Sequence, residues 1–251
     1  MRGAWLVWLA ACQMDVVRDH AVADPVTPPA QPAPAPASPR PKDPVEMLAS
    51  ASFGEVLQGK RLLLGDRAGS LSRLVVMVDR DERVPLENTA DLIWPGAKQF
   101  YGHGWVVNYD LDALADRAGW VLEEATFHDF GFSDGVHGEM RIDPAKNVAR
   151  LARARAAVHA WWNTLHRSWN CYAALVDEMH GPKPWLAYAW LSAWRAMPCE
   201  GFTAAGFRTD LLPLVKAHAR DPKHPMHDYA VEMLDDLDAR LEKLVTLSGP
   251  G

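Results

Sequence analysis

Met197-Pro198-Cys199-Glu200-Gly201-Phe202-Thr203 is the stretch best suited to covalent chemistry, because it places a sulfur beside a predicted helix entry. Pro198 fits the first position of a helix, where its missing N–H costs nothing. A cysteine in that first turn would face unpaired backbone N–H groups and the positive end of the helix dipole, which stabilise thiolate. Cys199 is therefore the candidate nucleophile. Trp169-Asn170-Cys171-Tyr172 supplies a rival in Cys171, but no clear helix start is legible there to lower its pKa. Two plainer readings stay open: Cys199 as a small buried residue, or as half of a disulfide with Cys171.

A thiolate needs a base, and the base needs a group to orient it. Gly102-His103-Gly104-Trp105-Val106-Val107-Asn108-Tyr109 reads as a strand with a histidine at its entry. Val121 to Phe127 reads as the next strand, after a short helix over Leu111 to Ala118. Side chains alternate along a strand, so Glu123 and Glu124 must face opposite ways and one at most can look at His103. Alternation does not choose between them. Trp161, Trp162, Trp169, Trp185, Trp190 and Trp194 crowd the residues before Cys199, and such rings make either a core or a cleft that holds sugar rings or acyl chains. Trp194, with Trp105 beside His103, is a candidate substrate contact.

Two histidine groups lie apart from this set. The loop His128 to Glu139 carries His128 and His137 among carboxylates, and His218, His224 and His227 sit near Pro222 and Pro225. Neither spacing matches a compact ligand motif, so no metal is assigned, and no cofactor motif is present.

The elements that must position these groups are read next. Val45 to Gln58 predicts an opening helix, and Gly59 to Asp66 a buried apolar run bounded by glycines. Leu71 to Val78 fits strand or helix alike. Asp143 as N-cap and Pro144 at the first helical position start a long helix, with Val148, Leu151, Val158, Trp162 and Leu165 on one face and Lys146, Arg150 and Arg153 on another. That pattern predicts a helix packed on a sheet, its basic stripe in solvent. Thr209 to Arg220 and His227 to Leu247 predict two closing helices, the second with Met233, Leu237, Leu241 and Leu244 on one stripe. The expected fold class is α+β, a small antiparallel sheet against helices.

The N-terminus reads as an address. Arg2, the apolar run Ala4 to Ala11 and then Cys12 follow the order of a secretory signal, and Leu9-Ala10-Ala11-Cys12 resembles a bacterial lipobox. The expectation is a signal peptide over 1–11, an acylated Cys12, and a Pro/Ala-rich linker over 12–44, ahead of a domain over 45–251. Asp24 to Pro44 carries nine of the nineteen prolines, too many for helix or sheet. As polyproline II it would reach roughly 60 Å from the anchor. Gln13 after Cys12 suggests sorting to the outer membrane. The net charge of −6 and pI near 5.9 argue against nucleic acid as a partner.

With this order in place, the chain resembles the circularly permuted papain-like thiol hydrolases: the NlpC type in permuted form, the lecithin–retinol acyltransferase-like group and lipoproteins of the same build. The residues that carry the resemblance are Gly59 to Leu64, His103-Gly104-Trp105-Val106-Val107, Leu122-Glu123-Glu124-Ala125-Thr126, Gly135-Val136 and Cys199-Glu200-Gly201-Phe202-Thr203. It implies that Cys199 attacks a carbonyl, His103 moves the proton and Glu124 fixes the imidazole, on an amide of a peptidoglycan stem peptide or an acyl ester of a lipid. The competing expectation is a non-catalytic lipoprotein that serves as a binding or inhibitor module. A Cys171–Cys199 bridge separates the two, since it would consume the nucleophile.

Overall fold

The computed structural model describes residues 42–88, 109–133, 144–192 and 198–237, all within the unit Pro41–Gly251. Every regular element among them is helical: α1 Pro44–Leu48, α2 Phe53–Gly65, α3 Arg67–Met77, α4 Leu114–Thr126, α5 Pro144–Leu165, α6 Cys171–Met179, α7 Trp185–Leu191, α8 Ala204–Gly206, α9 Leu212–Arg220 and α10 His227–Asp235. A π-helical turn over Phe207–Leu211 joins α8 to α9. One isolated bridge, Arg83 to Ala113, is the β-pairing among the described residues. The expected antiparallel sheet is therefore corrected to a helical array.

The corrections have local causes. Asp43 accepts the Val45 N–H at 2.8 Å and Pro44 occupies the first turn, so the last residues of the proline-rich stretch open α1. Gly59 bounds no strand. A Cβ there would lie 2.6 Å from the Pro44 carbonyl oxygen and 2.9 Å from the Leu48 nitrogen, so the glycine lets α2 cross close to α1. Asp66 caps α3 by accepting the Gly69 N–H at 3.1 Å, and Leu71, Leu74, Val75 and Val78 are buried at helical spacing.

The expected second strand, Val121 to Phe127, belongs to α4 and its cap. Every residue of this helix but Glu124 is buried, and Phe127 ends it in a left-handed conformation at φ 55°. Gly119 leaves room for the Phe132 ring to pack directly on the helix. Leu114, Ala118, Val121, Leu122 and Ala125 share one face and Asp116, Arg117, Glu123 and Glu124 the opposite one, and the polar face is buried as well because Arg150, loop carbonyls and Tyr109 satisfy it.

Two hydrophobic cores result. The first gathers Leu48, Val56, Leu74, Val121, Leu122 and Phe132 from α1 to α4 and the loop after α4, with Ala154, Val158 and Trp161 of α5. The second gathers Leu175, Met179, Leu186, Trp190, Phe202, Phe207 and Val215 from α6 to α9. Trp169 and Trp185 touch both.

The basic stripe expected on α5 is not all solvated. Arg150 is buried and forks onto Asp116 at 2.6 and 2.8 Å, while Val148, expected on the apolar face, is 69% exposed. The pattern sets the apolar face against a sheet, whereas α5 packs on α3 and on the loop that follows α4.

Candidate functional site

Cys199 and Cys171 are bonded to each other, 28 residues apart in sequence and with Cα atoms 5.5 Å apart. Both are buried, at 0% and 2% exposure. Neither sulfur is then a thiolate, and neither can attack a carbonyl without first being reduced.

The local structure around the pair reverses the expectation for helix starts. Asn170 accepts the Ala173 N–H at 2.9 Å and caps α6, so Cys171 is the cysteine in a first helical turn. Cys199 sits in a turn, closed by Phe202 N–H donating to the Cys199 carbonyl at 3.1 Å, with Gly201 at φ 84°. The next helix begins only at Ala204, where Thr203 caps it by accepting the Gly206 N–H at 3.0 Å. Pro198 starts no helix, and its carbonyl accepts from Arg67 Nε at 3.0 Å.

Glu124 has other partners than an imidazole. Its carboxylate accepts from Lys60 Nζ at 2.6 Å and from Trp120 Nε1 at 2.7 Å, and the Lys60 ammonium lies 3.7 Å from the Trp120 ring centroid. Glu123, one position away on the same helix, is fully buried and accepts from Tyr109 Oη at 2.8 Å and from the N–H groups of Phe130 and Phe132 at 2.9 and 3.0 Å. It holds the loop after α4. On a helix these carboxylates diverge by about 100° rather than facing opposite ways. His103, Trp105, Trp194 and Cys12 lie outside the described residues, as does His137.

What the structure does bring together is a cleft of about 300 Å³, between the end of α4, the end of α5 and α6. Phe127, Trp161 and Trp169 are its aromatic walls, and His128, Asn170, Asp177 and Glu178 its polar ones. Trp169 Nε1 donates to the Thr126 carbonyl at 3.5 Å, and the His128 ring packs 4.6 Å from Phe130. Burial raises the Glu178 carboxyl to about 7, against the Leu186 N–H that it accepts and with Asp129 adding to the rise. Partial desolvation also lowers the His128 pKa below its ordinary value, against Asp129, which raises it.

The tryptophan run had signalled this cleft in part. Trp190 is core, whereas Trp161 and Trp169 do both jobs, packing inward while presenting a surface to the opening. Asp177 and Glu178 carried no signal beyond their place on a short helix.

The remaining histidines form a second polar group. His218 and His224 stack with ring centroids 3.9 Å apart, Tyr188 Oη lies 3.0 Å from His218 Nδ1, and Met226 N–H donates to His224 Nδ1 at 3.2 Å. Among the described residues no three potential ligands converge on a metal position. No known protein family, curated protein or solved structure matches the chain.

Proposed function

We propose that this chain is a non-catalytic binding module of the bacterial cell envelope, held to the membrane by a lipid on Cys12 and carried on its proline-rich linker. The observation that carries the reading is the Cys171–Cys199 bridge. It occupies both sulfurs of the domain in a structural role, buried beneath the helices that it joins. A bridge of this kind suits an oxidising compartment, as the periplasm is. Among the described residues no helix is long and apolar enough to cross a membrane, and a lipid anchor requires none. The cleft beside α6 is the binding surface, because aromatic walls and a few polar groups meet at it, the usual make-up of a ligand site.

Turnover assays test this directly. The full chain, incubated without reductant on purified peptidoglycan and on short-chain acyl esters, is expected to release no product above buffer, and Cys199→Ser to behave the same. Product release by the unreduced chain that Cys199→Ser abolishes would overturn the reading and restore a thiol hydrolase. Radiolabelled palmitate is expected in the wild type and not in Cys12→Ser.

A further inference from the structure

We propose that the cleft between α4, α5 and α6 takes the ammonium head of an organic cation, seated against Trp161 and Trp169 and neutralised by Asp177 and Glu178. The proposal rests on the binding-module reading and adds the chemical class of the ligand.

The electrostatics of the walls carry it. Two carboxylates line the opening, and among the described residues no lysine or arginine does. At the one basic ring there, His128, partial desolvation disfavours the charged form, against Asp129, which favours it. A third carboxylate, Asp129, stands close enough to disfavour the charge on Glu178 further. Negative charge is thus gathered at the recess with no lysine or arginine among its described lining residues, and an incoming positive charge would relieve it.

The aromatic faces select what kind of cation. Indole faces attract a diffuse, weakly hydrated positive charge more than a compact hydrated ion, and alkylated ammonium groups are of the first type. A neutral sugar could stack on the same rings but would leave the half-buried Glu178 carboxylate uncompensated. A metal ion would need converging oxygen or nitrogen ligands, which the described residues do not offer. The volume of about 300 Å³ is at the small end for ligand sites, so the cleft fits a head group rather than a long molecule.

Calorimetric titration of the full chain in a sugar-headgroup detergent provides the test, with choline and its neutral isostere 3,3-dimethylbutan-1-ol as probes. Choline is expected to bind, the isostere about tenfold or more weaker, and Glu178→Gln and Asp177→Asn each to weaken choline several-fold while leaving the isostere unchanged. Glutamine at 178 keeps an oxygen for the Leu186 N–H, so α7 retains its cap. Vesicles of phosphatidylcholine, tested with the full chain carrying Cys12→Ser, distinguish the source of the ammonium. Vesicle binding that free choline displaces assigns a lipid headgroup, and choline binding without it assigns a soluble amine. Equal affinity for choline and the isostere, or no choline binding at millimolar concentration, overturns the proposal. Neither result bears on the turnover assays, on which the binding-module reading stands or falls by itself.

Discussion

The two cores solve the same problem by different chemistry. In the first, buried guanidinium groups tie irregular chain to helices. Arg117, fully buried in α4, donates to the carbonyls of Leu48, Ser50, Val84 and Leu111, and Arg150 of α5 donates to Asp116, Asn147 and the Phe132 carbonyl. In the second, a covalent bond does this work, joining the first turn of α6 to the turn that follows Pro198. Arg67 links the two schemes, reaching from α3 to the last carbonyls of α4 and to Pro198. A guanidinium with five donors can gather carbonyls that no helix or sheet satisfies, and it does so whatever the redox conditions. A cystine contributes only where an oxidant maintains it.

The largest expected effect falls on the guanidinium side. Arg117→Met leaves its carbonyl acceptors buried without donors, at a cost on the order of 5 kcal/mol, read as a lower urea midpoint with or without reductant. Removing the bridge with the double substitution Cys171→Ser/Cys199→Ser should cost about 3.5 kcal/mol, the chain-entropy figure for a loop of this length. Hydrogen exchange sharpens the contrast: on reduction, amides of α6 and of residues 199–203 are expected to lose protection while those of α4 keep theirs. Equal losses in both would show the cores to be one cooperative unit.

A smaller effect concerns pH. Burial pushes Glu123 to about 8, against the N–H groups of Phe132 and Phe130 and the Tyr109 hydroxyl. The folded chain therefore retains a proton that the unfolded chain releases above its ordinary carboxyl range. The stability that this proton contributes is complete at low pH and is lost as pH rises from about 4.5 toward 8. Glu123→Gln should make the fall in urea midpoint between pH 5 and pH 8 shallower. An unchanged slope would place the proton elsewhere.

How far the sequence revealed this arrangement differs between the same two regions. Helix α5 was legible because Pro144 marks its start, and Leu151 and Val158 recur at helical spacing. The helical character of the last elements was legible in the same way, with Met233 buried as its stripe predicts. Helix α4 was not: Ala118, Val121, Leu122 and Ala125 do recur at helical spacing, but the stretch reads as a helix ending at Ala118 and then a run from Val121 to Phe127 that is short enough to fit a strand as well. Misreading it as β-structure placed Glu123 and Glu124 on opposite sides, whereas on the helix Glu123 holds the loop after α4 and Glu124 accepts from Lys60 and Trp120.

The cysteine pair was legible as a possibility, and its roles were inverted. Asn170 is a common helix-capping residue and marked the start of α6, while Pro198 drew attention to a helix that does not form. Arg117 and Arg150 gave no signal, because a buried arginine looks in sequence like any surface one. The acceptors of Arg117 are carbonyls freed by irregular backbone, and those of Arg150 include a carboxylate on another helix, and only the fold places either set.

Peptide mapping of the mature protein, alkylated without reductant and digested, tests the central claim most directly. The account predicts a single cross-linked species joining the peptide of Cys171 to that of Cys199, with no alkyl label on either. Two separately alkylated peptides would contradict it, free both thiols for chemistry and remove the covalent tie that distinguishes the second core from the first.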